Sequence, residues 1–337
     1  MRTRPVGRTG LRTTVLGFGA AALGNLYAAV SDEQAAAAVD AAWDRGVRTF
    51  DVAPHYGLGL AERRLGAALV GRPRAEHLLS SKVGRVLEPV EDPGDARDLD
   101  NGFDVPADHR RRRDYSRDGV LRSVEDTLVR LGADRLDVLL VHDPDDFERE
   151  AVEGALPALL ELREQGVVRA VGAGMNQSAM LTRFVERFDL DVVLCAGRCT
   201  LLEQPAADDL LPAAARAGTS VLLGGVFASG LLARDWPADD ATYEYAPAPA
   251  PVLERARRTA SACTEHGVPL PAAALQFALA QQGVCGALLG MRSPQEVHAD
   301  ADLLDVDVPA DLWGDLRARG LLREDVAVPA PSGAGSR

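Results

Sequence analysis

The sequence is almost without lysine: its 37 Lys and Arg residues include one, Lys82, and the rest are arginine. It is also poor in cysteine. The four thiols, Cys195, Cys199, Cys263 and Cys285, form no C-x-x-C pair and have no histidine spaced to complete a zinc site. A disulfide-stapled or zinc-built fold is thereby set aside, no metal is expected, and reduced thiols in a cytoplasmic protein are the reading. No apolar stretch of about twenty residues occurs, so no membrane-spanning helix is expected. The basic opening MRTRPVGRTGLRTT lacks the apolar run and cleavage site of a secretory signal. An excess of positive charge is missing as well. With 50 acidic residues and a net charge of −13, the chain suits neither a phosphate backbone nor an anionic membrane, and neither partner is expected.

Arginine elsewhere makes Lys82 informative. A guanidinium stays charged, whereas an amine on a flexible stem is tuned by its neighbours or attacks a carbonyl. A chain that prefers arginine keeps a lysine where arginine does not serve.

What is present is alternation. Short apolar runs at 13–19, 47–52, 77–83, 136–142, 167–174, 191–197, 219–225 and 285–290 read as strands. Between them lie Ala/Leu/Arg-rich stretches of helical period, such as SDEQAAAAVDAAWDRG, whose Ser31 caps the helix start with Gln34 as its third-residue partner. Eight such units within 337 residues predict a (β/α)8 barrel, class α/β, over residues 1–326. The doubly wound alternative wants G-x-G-x-x-G after its first strand, and GFGAAALG places Ala22 where the third glycine belongs. Two segments break the repeat. Residues 84–117 form a long Asp-, Pro- and Arg-rich insert after the third strand, expected to be a functional lid or disordered. Residues 327–337, AVPAPSGAGSR, have the composition of a flexible tail.

On such a barrel the strand C-termini and their loops form the reactive face. Asp51 ends the second strand, His55 and Tyr56 follow it, Lys82 ends the third and His142 the fourth. The chemistry that suits this set is proton transfer at an oxygen. A phenol of ordinary pKa about 10 is a poor acid or base at neutral pH, and the Lys82 ammonium is expected to lower it. Asp51 would hold that ammonium, and His142 would direct the reacting carbonyl or hydroxyl. None of the four accepts electrons, so an oxidation or reduction needs a cofactor.

The run FDVAPHYGLGLAERRLGAAL, then SSKVGR, LLVHDPDD and GALLGMRSPQEV, resembles the aldo-keto reductase superfamily along almost the whole chain. The resemblance implies a nicotinamide cofactor on the barrel and a catalytic tetrad of Asp51, Tyr56, Lys82 and His142. GNLYAAVSDE, HDPDD and GAGMNQ resemble the branch containing L-fucose dehydrogenase and D-threo-aldose 1-dehydrogenase, which oxidise a sugar at C1 to a lactone. The same resemblance implies cofactor contacts from Gly19 and Ala20, from Asn176 for the carboxamide, and from Gly225, Val226, Phe227 and Ser229 near the pyrophosphate. Gly290, Met291, Arg292, Ser293 and Glu296 complete the set in the last loop. Two positions depart from the pattern: Gly224 stands where many members stack a tyrosine on the nicotinamide, and Ala196 where many place a glutamine. For the cofactor, NAD or NADP, Glu296 would repel a 2′-phosphate and favours NAD, while Arg292 beside it suits phosphate.

A sugar needs several hydrogen-bonding groups at the mouth. Asn25, Tyr27, His55, Arg85 and Asp143 are the candidates, with Phe103, Tyr115 and Phe147 as a stacking wall. The expected activity is therefore NAD(P)-dependent oxidation of an aldose of the L-fucose or D-arabinose type at C1, its partner being that small molecule. A broad aldehyde and ketone reductase is the nearer alternative. A Schiff-base lyase using Lys82 or a non-catalytic redox-sensing subunit stands further off, since Asp51 would keep Lys82 charged.

Overall fold

A strand that is buried on both faces must lie between a filled interior and covering helices, and the eight apolar runs have that character. In the computed structural model, which describes residues 1–330 apart from Tyr245, they close into one eight-stranded parallel barrel. The strands are β1 (Leu16–Gly19), β2 (Thr49–Asp51), β3 (Leu78–Val83), β4 (Val138–His142), β5 (Ala170–Met175), β6 (Val192–Ala196), β7 (Ser220–Gly224) and β8 (Val284–Gly290). Each pairs with its neighbour in sequence, and β8 closes the ring on β1 through Gly290 opposite Gly19.

Helices α1 (Asp32–Asp44), α2 (Leu60–Leu69), α3 (Arg117–Leu131), α4 (Leu156–Glu164), α5 (Ser178–Arg187), α6 (Leu210–Ala217), α7 (Leu270–Ala280) and α8 (Pro294–Asp302) follow the strands in turn. Ser31 caps α1 by accepting from the Gln34 amide at 3.1 Å. Side chains alternate across each strand, so one set (Phe18, Phe50, Leu79, Leu139, Val193) meets the helices and the other (Leu78, Val138, Leu140, Leu194, Leu288) fills the barrel. Two further helices, Ala250–Glu265 and Ala310–Ala318, pack with α7 around a second core.

The run 13–19 is not one strand. Thr3–Val6 and Leu11–Thr14 form an antiparallel hairpin whose Val6 and Leu11 plug the barrel floor. Thr14 turns instead to Thr49, whose Oγ1 accepts from the Thr14 amide at 2.9 Å, and β1 starts afresh at Leu16. Gly7 and Gly10, both at positive φ, make the turn and were its sequence signal.

The insert after β3 is ordered. Arg85–Pro89 pairs antiparallel with His109–Arg113, and a loop between them returns to the barrel through a bridge between Leu26 and Phe103. The chain stays docked at residues 327 and 328. Ala327 accepts a hydrogen bond from Gln281 at 2.8 Å, and Val328 packs on the second core. The remainder of the expected tail, residues 331–337, lies outside the described residues.

Candidate active site

Alternation along β3 and β4 builds the site. Leu78, Ser80 and Lys82 take successive inward positions, as do Val138, Leu140 and His142, so apolar residues form the floor and polar ones the rim. Asp51, at the end of β2, lies opposite Ser80 in register. The Lys82 ammonium spends its three donors on Asp51 Oδ2 at 2.5 Å, the Val52 carbonyl at 3.1 Å and Tyr56 Oη at 3.1 Å. Ser80 donates to the other Asp51 oxygen at 2.9 Å. That serine was not among the expected site residues, and the doubled polar pair Ser80-Ser81 in a buried strand was the signal for it.

Tyr56 sits on the loop between β2 and α2. That loop is pressed against the turn after β1, Ala20–Gly24, by two glycines facing each other. A Cβ on Gly24 would lie 2.7 Å from the Tyr56 carbonyl carbon, and one on Gly57, at φ 58°, would lie 2.4 Å from the Gly24 oxygen. The His55 ring stands edge-on to Phe103 at 5.2 Å and to His142 at 5.7 Å, and His142 is edge-on to Tyr56 at 5.9 Å. Both His55 and His142 have a buried Nδ1 with no partner among the described residues.

Burial and the cations around them set the charges. Burial depresses both imidazoles, with Arg85 adding to it, His55 to about 2 and His142 well below its usual value, so both rings are neutral at physiological pH. Burial alone would lower the Lys82 ammonium, but the Asp51 carboxylate and Tyr56 override that and hold it above its usual range. The expectation for Tyr56 is corrected: burial raises the phenol above its usual range, and the opposing pull of Lys82 does not overcome it.

The expected substrate residues divide. Arg85 and Asp143 pair at 2.6 Å, with Asp143 Oδ2 3.4 Å from His142 Nε2. Tyr27 is exposed at the rim, its amide bonded to the Gly102 carbonyl. Asn25 is not available at the mouth. Its amide donates to the Asp104 carbonyl at 3.0 Å and its oxygen accepts from Arg64 at 2.7 Å and from the Val30 amide. Tyr115 is buried and donates to the carbonyls of His142 at 2.8 Å and Asp143 at 3.0 Å, so it positions the loop after β4. Phe103 is likewise buried, as backing for His55 and Tyr56, and Phe147 packs against Tyr115 with ring centres 5.5 Å apart and the rings tilted by 37°.

The opposite side of the mouth is formed by the ends of β5 to β8 and β1. Gly224 and Ala196 leave the tops of β7 and β6 without bulk, facing each other in register. After β7 the chain turns through four positive-φ residues, Gly225, Ala228, Ser229 and Gly230. The amides of Val226, Phe227 and Ser229 donate to nothing among the described residues; Val226 is fully buried, whereas Phe227 and Ser229 are partly exposed. Asn176 is exposed at the end of β5, its carboxamide unengaged among the described residues and its carbonyl held by Arg198 at 2.6 Å. Gly19 and Ala20 line the end of β1, and Gly290 and the buried Met291 the end of β8. Ser293 caps α8 by accepting from the Glu296 amide at 3.2 Å. Glu296 in turn accepts from the Arg292 amide at 2.9 Å and lies 3.4 Å from the Arg292 guanidinium. The two charges weighed against each other in sequence are thus one pair. Free amides and an exposed carboxamide fit a pyrophosphate and a nicotinamide amide.

Comparisons with known proteins concern the chain as a whole. A profile of the Aldo/keto reductase family matches residues 15–318. D-threo-aldose 1-dehydrogenase of Pseudomonas sp is 45% identical over 93% of this chain and 96% of its own length. Pyridoxal 4-dehydrogenase of Microbacterium luteolum is 38% identical, with 95% and 97% covered. The solved holo form of an aldo-keto reductase from Bacillus halodurans superposes with a TM-score of 0.75 at 23% identity, over 99% of both chains, which shows the shared barrel.

Proposed function

The chain belongs to the aldo/keto reductase family, and from that premise we propose that this NAD(P)-dependent oxidoreductase oxidises a free aldose at C1 to the lactone. The observation that carries the reading is the Asp51–Lys82–Tyr56 chain of hydrogen bonds, ending on a phenol at the mouth beside a neutral His142. In this reading Tyr56 takes the proton of the anomeric hydroxyl, with Lys82 stabilising the phenolate that forms and Asp51 and Ser80 fixing Lys82. His142, whose protonated form burial and Arg85 disfavour, hydrogen-bonds the hydroxyl while remaining too weak a base to take its proton. The nicotinamide, when bound, supplies the hydride acceptor. Asn176 would hold its carboxamide, and the amides of Phe227 and Ser229, on the turn that Val226 anchors, its pyrophosphate. Phe227 and the apolar strand ends would stand in for the stacking tyrosine that Gly224 replaces.

The sugar class is supported by the polar mouth and by the 45% identity to a D-threo-aldose 1-dehydrogenase. A pocket for apolar aldehydes would be walled by aromatic side chains, whereas here Phe103 and Tyr115 are buried as scaffold and Arg85, Asp143 and the two histidines face the site. Initial rates with L-fucose, D-arabinose and L-galactose, set against aromatic and aliphatic aldehydes, test it. Aldose oxidation is expected. Efficient reduction of the aldehydes with no sugar turnover would replace this reading with a general carbonyl reductase.

NAD is the favoured cofactor. Glu296 presents a carboxylate at the start of α8 and engages the nearest guanidinium, Arg292, leaving a 2′-phosphate facing negative charge. Glu296→Arg is expected to shift the NADP to NAD ratio of kcat/KM toward NADP by about tenfold or more, the worth of adding one charge-assisted hydrogen bond and removing one repulsion. An unmoved ratio would place the ribose elsewhere.

A further inference from the structure

The ordered insert turns a charged face to the mouth. Because side chains alternate along a strand, Arg85 shares a face with Arg113 opposite it and with Arg111 and His109 further along. The other face carries the buried Val86 and the Glu88 carboxylate, which binds Arg110 and Arg112. On the mouth side, Arg85, His109, Arg111 and Arg113, with Asp98 and Asn101 across from them, line a cavity of about 340 Å³ that Arg110 also borders. It adjoins the site directly. Arg111 donates to the His55 carbonyl at 2.8 Å, and Arg85 reaches Asp143, 3.4 Å from His142 Nε2.

The cavity's charge is not balanced. Asp98 answers Arg111, Asp143 answers Arg85 and Glu88 answers Arg110. Arg113 has no carboxylate partner among the described residues and gives Nη1 to two neutral oxygens, the Tyr115 hydroxyl and the Asp143 carbonyl, each at 2.8 Å. Its Nη2 and Nε are uncommitted among the described residues. Arg85 is 8% exposed, and its buried Nε has no partner. A chain of net charge −13 has thus gathered guanidinium groups, with donors unspent, on the substrate side of its active site.

We propose that this cavity is an anion subsite for the end of the substrate remote from C1, so that the preferred aldose carries a carboxylate or a phosphate. The inference rests on the aldose reading above and narrows it. A planar fork with free donors is the group that recognises either anion; Arg113 stands exposed at the entrance with those donors reachable, and the buried Arg85 lies at the inner end, where its charge is less screened.

The test uses matched pairs at low ionic strength: D-arabinose against D-arabinose 5-phosphate, and L-galactose against L-galacturonate, with wild type, Arg113→Gln and Arg113→Lys. In at least one pair the acidic member is expected to exceed the neutral one in kcat/KM by on the order of ten- to a hundredfold, the worth of a hydrogen bond between charged groups. Arg113→Gln should remove that advantage, Arg113→Lys should keep part of it, and the neutral sugars should change by less than about threefold. The pair that responds separates phosphate from carboxylate. Acidic sugars no better than their neutral counterparts, or an advantage that survives Arg113→Gln, would overturn the subsite. If no sugar of either kind is oxidised, the aldose reading fails separately. Inhibition of aldehyde reduction by inorganic phosphate then decides the subsite: weakening of that inhibition by Arg113→Gln upholds it, and no inhibition overturns it.

Discussion

Tyr56→Phe is expected to lower kcat for aldose oxidation by about 10²–10⁴, the span of a positioned proton-transfer group, while dinucleotide binding stays intact. The variant removes one oxygen and leaves the loop as it was, because the loop is held by the Gly24–Gly57 contact and by ring packing against Phe103 and His142. It also frees one donor of Lys82, whose bonds to Asp51 and the Val52 carbonyl persist. The pH profile gives an independent check. Burial raises the Tyr56 phenol above its usual range, so its base form stays scarce at neutral pH. Oxidation should keep rising with pH, without a plateau below the ordinary phenol pKa of about 10, whereas reduction, which uses the protonated phenol, should stay flat over the same range. Wild-type kinetics in Tyr56→Phe at every pH would remove the tyrosine from the chemistry.

The barrel was legible because its signal is local. Each strand is a short apolar run, and Asp51, Lys82 and His142 lie at or next to the ends of such runs with His55 and Tyr56 in the loop that follows one, so position along the strand gives position at the mouth. What stayed hidden depends on partners far away in sequence. HRRRR at 109–113 is a run of like charge, and only the ladder opposite Arg85–Pro89 makes it a strand, with Glu88 and Asp114 compensating the even-numbered arginines. Asn25 looked like a sugar ligand because it follows β1. Its commitment to Asp104, Val30 and Arg64 is visible only once the insert has folded back over it. The sign of the Tyr56 shift was misjudged for a related reason. A neighbouring cation is visible in a motif, but the depth of burial that outweighs it belongs to the assembled fold.

Lys82→Arg is expected to cost on the order of 10²–10³ in kcat, the cost of losing one preorganised electrostatic donor, although the formal charge is unchanged. The reason lies in the shape of the pocket. The ammonium is 2% exposed and its three donors meet a carboxylate, a carbonyl and a phenol that lie in different directions around a single nitrogen. A guanidinium carries its donors in one plane around a carbon and needs more width. The side chain it would replace is enclosed, with Leu140 opposite it in register, so a broader head group must displace its neighbours or shift away from the phenol. An arginine here keeps Asp51 paired, which avoids the loss of about 3–5 kcal/mol that an unpaired buried carboxylate would bring. Folding and dinucleotide affinity are therefore expected to survive, while the phenol loses the ammonium at 3.1 Å that favours its phenolate. Near-normal turnover in a folded Lys82→Arg protein would show that the chain's one lysine is there by accident; loss of rate with cofactor binding retained would show why, among so many arginines, one position was kept for an amine.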